Sequence, residues 1–278
     1  MPTLSSIHRF PVKSCRGESV DAAVVEPWGL AGDRRWMVVD EVGAAITARE
    51  VNRLVLVHPE LSEDGLVVSA PGLAPLTVPT PDPATQVPVG LWSSLVTAAP
   101  AGAEADAWFS QALGRPARLV HLDDPTRRAT SPQFSEPGDR VSFADGYPLL
   151  VATESSLAAL NDVVSGGPLS MTRFRPNVVV AGTEAWAEDD WRRIRIGDAV
   201  FRAVKGCARC VITTIDPESA ERAKEPTASL ARIRRWDGAV WFGVNLVPDT
   251  AGATIRVGDE VEVLEAVAPG AGPVRARR

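Results

Sequence analysis

A chain of 278 residues and 29.6 kDa that is 45% hydrophobic can bury one large core or two ordinary ones. Its formal net charge of -6 argues against a nucleic-acid partner, because affinity for a polyanion rests on clustered Lys and Arg. Three cysteines are too few, and odd in number, for a secreted disulfide scaffold, so they point to a reducing compartment.

The first thirteen residues, Met1 to Lys13, lack the apolar core of a signal peptide, and no apolar run reaches the length of a membrane span. The expectation is a cytoplasmic protein with no membrane partner. From there the chain predicts short strands at 4–10, 20–25, 36–39, 45–47, 54–57, 65–68 and 76–78. Apolar and β-branched residues fill these stretches, and Gly, Pro, Asp and Asn punctuate them. A proline-dense loop follows at 79–83.

Helical spacing then appears. Residues 103–113, with Ala107, Trp108 and Leu113 among the apolar positions and Gly114 just beyond, predict an amphipathic helix with a glycine stop. A second helix is expected from Thr153 through Leu157, Leu160 and Val163 to Gly166-Gly167, although Thr153 and Ser156 lack the acidic partner of a full capping box. Further strands are expected at 177–180, 193–196, 199–204, 211–215, 240–246, 255–257 and 260–264. A loop leading into a short helix is expected at 220–235, and the Ala, Gly, Pro and Arg of 266–278 read as a disordered tail. The predicted fold class is mostly β (α+β): two β-barrel-like units with a few helices, divided as 1–100 and 101–265.

The best candidate for thiolate chemistry is Gly206-Cys-Ala-Arg-Cys210, which runs into β-branched residues that favour a strand. Four readings of this C-x-x-C stay open at the level of the residues: half a zinc site, a redox dithiol, one metal-ligating thiolate beside an incidental neighbour, or buried structural cysteine. Zinc is short of ligands, since Cys15, His8, His58 and His121 are scattered. Basic pairs at Arg34-Arg35, Arg127-Arg128, Arg173 with Arg175, and Arg192-Arg193 permit a focused anion pocket within an acidic whole. Lys13-Ser14 sits in a turn after the first strand, and Thr47-Ala-Arg49 makes another polar corner. Asp145-Gly-Tyr147-Pro is a turn whose backbone donors can face a ligand. Arg175 precedes Pro176, which predicts an extended backbone there.

Phe10-Pro-Val-Lys-Ser-Cys15, Gly32-Asp-Arg34, Phe174-Arg-Pro-Asn177, Cys207-Ala-Arg-Cys210 with Thr213-Thr214, Phe242-Gly-Val-Asn245 and Val257-Gly-Asp259 follow one another in the order of a known family. Together they resemble the MOSC-domain proteins that begin with an N-terminal MOSC β-barrel domain, such as the mitochondrial amidoxime-reducing component and its bacterial counterparts. The resemblance spans residues 4–264. It implies a MOSC fold and a molybdenum cofactor (Mo-molybdopterin), with Cys210 as metal ligand and catalytic residue. By the same match, Lys13, Ser14, Arg34, Asp145, Tyr147, Arg175, Asn177 and Asn245 bind the cofactor, the three basic residues facing its phosphate.

The implied activity is reduction of N-hydroxylated compounds. Its electrons would come from an external donor of ferredoxin, flavodoxin or cytochrome type with its reductase, since the four further cysteines of a fused ferredoxin domain are lacking. The alternative is a sulfur-carrier or cofactor-delivery protein. Two departures from the family pattern stand out: Ala208 replaces a serine of the animal relatives, and Asn245 falls where some relatives have tyrosine.

Overall fold

The structure is a computed structural model and describes residues 1–274. It is mostly β, with three α-helices. A nine-stranded sheet runs from Val261–Ala266 through Trp191–Ile196, Ala199–Ala208, Ala239–Pro248, Leu149–Thr153, Val178–Ala181 and Thr3–Arg9 to Glu18–Val20, and Arg235–Trp236 adds to Ala239–Pro248. Leu149–Thr153 and Val178–Ala181 pair in parallel and are buried almost throughout. That burial on both faces explains their unbroken apolar runs.

Two large apolar cores organise the chain, and each draws residues from both sides of position 100. One gathers Val12, Trp36, Leu54, Leu66 and Phe109, and the other gathers Leu4, Ile7, Val178, Phe201 and Leu246 under the nine-stranded sheet. The units interleave along the chain. Thr3–Arg9 pairs with Val178–Ala181, and Thr254–Arg256 pairs back onto Ala22–Glu26. Residues 10–15 therefore leave the large sheet and enter the other core within a few positions, with Val12 and Cys15 buried there. A connection of this kind puts the turn at Lys13 between the two units.

The first helix, α1 (Ala103–Leu113), buries Ala105, Trp108, Phe109, Ala112 and Leu113. This is the i, i+3, i+4, i+7, i+8 stripe of an amphipathic helix, and left-handed Gly114 returns its N–H to Ser110. In α2 (Glu154–Asn161) the Thr153 hydroxyl accepts the Ser156 N–H, as its sequence suggested. The missing acidic partner comes from elsewhere in the chain: Thr153 and Ser156 hydroxyls both donate to Glu188 Oε2, at 3.1 and 2.8 Å. The short helix expected within 220–235 is α3 (Thr227–Ile233).

Several expectations need correction. Residues 211–215 are not a strand: Val211–Thr214 is a 3-10 turn, in which the Thr213 and Thr214 hydroxyls bond back to the carbonyls of Cys210 and Val211 at 3.0 and 2.7 Å. Such local bonds offer threonine an alternative to the ladder. Residues 54–57 likewise fall largely in a 3-10 turn, Asn52–Leu56, and 45–47 makes only an isolated bridge. The strand expected at 199–204 continues to Ala208, so the C-x-x-C closes a strand instead of opening one. Strands Gly29–Leu30, His58–Ser62, Val87–Leu91, Ser94–Pro100, Arg118–His121, Leu149–Thr153 and Arg235–Trp236 went unpredicted.

In the tail expected to be disordered, Ala266 ends a strand, and the N–H groups of Gly270 and Gly272 both donate to the Asp190 carboxylate at 2.8 Å. Positions 275–278 of that tail lie outside the described residues.

Candidate functional site

All nine residues singled out from the sequence line one cleft of about 750 Å³, counting its open mouth. Lys13 and Ser14 come from the turn after the first strand, Arg34 from the approach to Trp36–Val39, and Asp145 and Tyr147 from the loop before Leu149–Thr153. Arg175 and Asn177 precede Val178–Ala181, Cys210 follows Ala199–Ala208, and Asn245 lies within Ala239–Pro248. Arg49 and Arg209 line the same cleft, which makes five basic side chains (Lys13, Arg34, Arg49, Arg175, Arg209) against one carboxylate, Asp145.

Backbone geometry aims these groups. Ser14, Arg34 and Arg175 all hold left-handed conformations, with φ of 68°, 49° and 55°. Non-glycine residues rarely sit there, and such strain gathers at sites where the surroundings over-determine it. The extended backbone expected of Arg175 is thus corrected. Its N–H closes the 3-10 turn Met171–Phe174 onto Thr172 O at 3.2 Å, and its guanidinium donates to Cys15 O at 2.6 Å. Pro176 still disfavours the right-handed helical region, and the left-handed region satisfies both constraints.

A hydrogen-bonded lattice fixes the side chains. Lys13 is buried and donates to Phe143 O at 2.8 Å and Asp145 Oδ1 at 2.5 Å, while Arg49 reaches Asp145 Oδ2 at 3.2 Å. Behind them buried Arg128 donates to the carbonyls of Ser142 and Ala144 and to Asp145 O. Arg34 bonds Asp33, Asn177 Oδ1 and Arg175 O, and its guanidinium carbon lies 4.4 Å from the Phe10 ring centroid, with that of Arg175 at 4.2 Å.

Asn177 joins the walls by donating to His8 O and accepting the Leu150 N–H. Asn245 donates to Lys205 O at 3.1 Å, on the strand that leads to Cys207. Phe174 and Phe242 stack with ring centroids 3.9 Å apart, which holds their two motifs together. Gly243, between Phe242 and Asn245, has φ 76°, and a Cβ there would meet Val151 O at 2.7 Å.

Burial and charge crowding set the protonation of the cleft. Burial brings Lys13 down from 10.5 to about 8, opposed by Asp145 and assisted by Arg128 and Arg34. Partial desolvation by the cleft would raise Asp145, but Lys13, Arg49 and Arg34 hold it well below the usual carboxylate range. Burial and then nearby Arg34 also depress Arg175. This is the electrostatic signature of a site short of negative charge. Buried Arg49 Nε and Arg209 Nε find no hydrogen-bond partner among the described residues.

The three cysteines separate by environment. Cys15 is fully buried in a core, and burial pushes its thiol up to about 12. Cys207 and Cys210 are half-buried and line the cleft, and Arg209 Nη1 lies 2.8 Å from Cys207 Sγ. Among the described residues no three His, Cys, Asp or Glu side chains gather around a possible metal position. A protein-only zinc site therefore has no set of ligands there. A metal at Cys210 would have to bring most of its own ligands.

Sequence reasoning noted Arg49 as a polar corner without assigning it to the site, and it missed Arg128 and Arg209 as parts of it. Arg209 stands inside the C-x-x-C, and Arg128 belonged to a basic pair already noted. The other members of these pairs serve the scaffold: Arg35 caps Leu122 O, Arg127 pairs with Asp123, and Arg173 pairs with Asp216. The Val257-Gly-Asp259 motif also lies outside the cleft lining, where Asp259 O accepts the Leu4 N–H and ties the last strands to the first.

Comparison with known proteins gives this arrangement a family. Residues 1–116 match the MOSC N-terminal beta barrel domain and residues 138–262 match the MOSC domain. The chain is 32% identical to mitochondrial amidoxime-reducing component 1 of Homo sapiens, covering 94% of this chain and 83% of that protein. The chain belongs to the MOSC-domain family of the amidoxime-reducing components. The Mus musculus counterpart is 35% identical over 94% of this chain and 82% of its own length. A molybdenum cofactor sulfurase of Oryza sativa is 30% identical over 87% of this chain, which corresponds to 32% of that protein.

The cleft of this MOSC protein fits a pterin-type metal cofactor on its own chemistry. Phosphate suits a lattice of guanidinium and ammonium donors that outnumber the carboxylates, and a soft thiolate suits a metal already ligated by sulfur. Ala208 brings no hydroxyl to the wall, and Asn245 spends its amide donor on Lys205 O. No helix among the described residues is long and apolar enough to cross a membrane.

Proposed function

We propose that this MOSC protein is a molybdenum-cofactor-dependent reductase that removes oxygen from N-hydroxylated compounds with electrons from a separate redox protein. The observation that carries this reading is the convergence of five basic side chains and Cys210 on one cleft that holds a single carboxylate. When bound, the cofactor supplies a metal able to accept an oxygen atom and to exchange electrons, and the protein contributes binding, orientation and electrostatics.

Each lining residue then has a task. Cys210 offers the protein thiolate. Lys13, Arg34 and Arg175 hold the phosphate end, where the planar guanidinium forks engage two oxygens each and lysine acts as a point charge. Asn177 and Asn245, already bonded to the backbone of neighbouring strands, keep the pterin floor in register. Asp145 stays ionised between Lys13 and Arg49 and so positions both cations without acting as an acid. With a value of about 8, Lys13 is mostly protonated at neutral pH, and an anion beside it holds the proton on Nζ more firmly still. Arg128 braces the loop that carries Asp145 from behind.

One contact favours a second reading. The guanidinium of Arg209 lies 2.8 Å from Cys207 Sγ, so a second sulfur stands in the cleft beside a cation, an arrangement a sulfur carrier would use. The two readings part on one assay. Protein purified from a cofactor-making host should reduce an amidoxime with a chemical electron donor, Cys207→Ser should retain most of that turnover, and Cys210→Ser should lose it. Full turnover in Cys210→Ser would remove the reductase reading, whereas bound cofactor without any turnover in the unaltered protein would favour the carrier.

A further inference from the structure

In a chain of net charge -6, residues 222–236 carry five cations (Arg222, Lys224, Arg232, Arg234 and Arg235) and one carboxylate, Glu225. Glu221 and Asp237 bound the segment at its two ends, and counting both still leaves it net positive. Arg234 turns inward, where it is buried and paired with Asp189. The other four cations are exposed, and among the described residues none of them forms an ion pair with a carboxylate. Glu225, the one internal carboxylate, is occupied by the N–H and hydroxyl of Ser229. An apolar centre accompanies the charge, with Ile233 43% exposed on α3 and Val211 37% exposed beside Cys210.

This segment frames the loop that carries Cys210. At one end Ala223 N donates to Thr214 O at 2.9 Å, and the Arg222 guanidinium reaches Arg49 O at 2.9 Å and Asn52 Oδ1 at 2.7 Å, beside the cleft. At the other end Arg235 pairs with Val240, whose carbonyl accepts the Arg209 N–H at 2.8 Å, one peptide from Cys210. Arg49 and Arg209 add two further cations on the cleft side.

We infer that the face built by residues 222–236, around α3 and the Cys207–Thr214 loop, is the docking surface for the electron donor, and that the donor is an electron-carrier protein with an acidic face. The inference rests on the external electron source of the proposed function. Unpaired cations around a small exposed apolar centre match the common anatomy of a transient interface, in which rim charge steers encounter and sets partner choice. A donor seated here stands next to the cleft without entering it, which leaves the mouth free for substrate. The acidic remainder of the chain repels an acidic carrier elsewhere and so favours this one approach.

The test uses Lys224→Glu/Arg235→Glu, whose altered side chains make no hydrogen bond or ion pair among the described residues, together with the milder Lys224→Ser/Arg235→Ser. Two probes serve as donor: an acidic flavodoxin and the soluble domain of an acidic b-type cytochrome. Binding is titrated without substrate at low and high salt, and turnover is measured with each probe and with a small chemical reductant.

The proposal expects salt-sensitive binding of at least one probe to the unaltered protein. It expects a rise of about tenfold or more in that probe's Kd and KM on charge reversal, a smaller rise for the serine pair, and unchanged turnover with the chemical reductant. It is overturned if neither probe binds in a salt-sensitive way, or if both variants bind the probe as the unaltered protein does. Absence of chemical turnover in the unaltered protein would count against the reductase reading instead, and the binding titration would still decide the docking face.

Discussion

Two clusters of charge in this molecule are built on opposite principles. Around Glu188 the charges are met within the fold: Thr153 and Ser156 donate to Glu188 Oε2, and Asp189 pairs with Arg234, although Glu188 Oε1 and Arg234 Nε find no hydrogen-bond partner among the described residues. The Arg234 guanidinium carbon also lies 4.3 Å from the Trp186 ring and 4.5 Å from the Trp236 ring. Around Lys13 it does not close. Five basic side chains share a cleft with one carboxylate, and that carboxylate has 56% of its side chain exposed to water. Burying charge costs free energy unless it is paired, so an internally balanced cluster serves the fold, whereas an unbalanced one is set up to receive an anion. The contrast separates scaffold from site without reference to any relative.

The largest effect should come from removing the sulfur on the unbalanced side. Cys210→Ser is expected to lower amidoxime turnover by more than about a hundredfold while much of the pterin stays bound, measured by steady-state kinetics alongside pterin content. Next, Arg175→Ala should cut cofactor occupancy by about tenfold, because it removes one charge-assisted phosphate contact and leaves Cys15 O without its donor. Arg175→Lys should recover only part of that occupancy, since lysine lacks the planar fork.

The protonation of Lys13 sharpens the comparison further. With Lys13 at about 8 in the protein, the ratio of pyrophosphate affinities between the cofactor-free protein and Lys13→Gln should be level below pH 8 and fall by up to about tenfold per pH unit above it, the titration of the ligand and of Arg175 being common to both. Calorimetric titration of the two proteins from pH 6 to pH 9.5 checks this.

The balanced cluster should respond in stability and not in binding. Burial raises Glu188 from 4.5 to about 7, so its contribution to stability is fully present below pH 4.5 and is lost as pH rises through 7. Glu188→Gln should remove that loss, worth about 3 kcal/mol at most, and leave pyrophosphate affinity unchanged. Urea unfolding at pH 5 and pH 8 measures it.

How much of this was legible in the chain varies with the range of the forces involved. Local signals served well where they acted alone: the apolar stripe and Gly114 gave the bounds of α1, and Thr153 capped α2 as its type suggests. They failed where tertiary structure decided. The β-branched run at 211–215 reads as a strand, but the threonine hydroxyls close it into a 3-10 turn. The left-handed Arg175 could not be read from its proline neighbour, because Cys15 O lies 160 positions away in the chain. The residues that line the cleft were legible as ordered motifs, but the surplus of positive charge was not. Arg49 and Arg209 become part of that surplus only when the fold brings their segments to one cleft.

The most direct measurement of the central claim is molybdenum and pterin content together with X-ray absorption at the molybdenum edge, on the protein and on Cys210→Ser from the same cofactor-making host. Near-stoichiometric molybdenum and pterin in the unaltered protein, with one sulfur fewer around the metal in Cys210→Ser, is the predicted result. Protein free of molybdenum despite a competent host, or an unchanged sulfur shell in the variant, would contradict it.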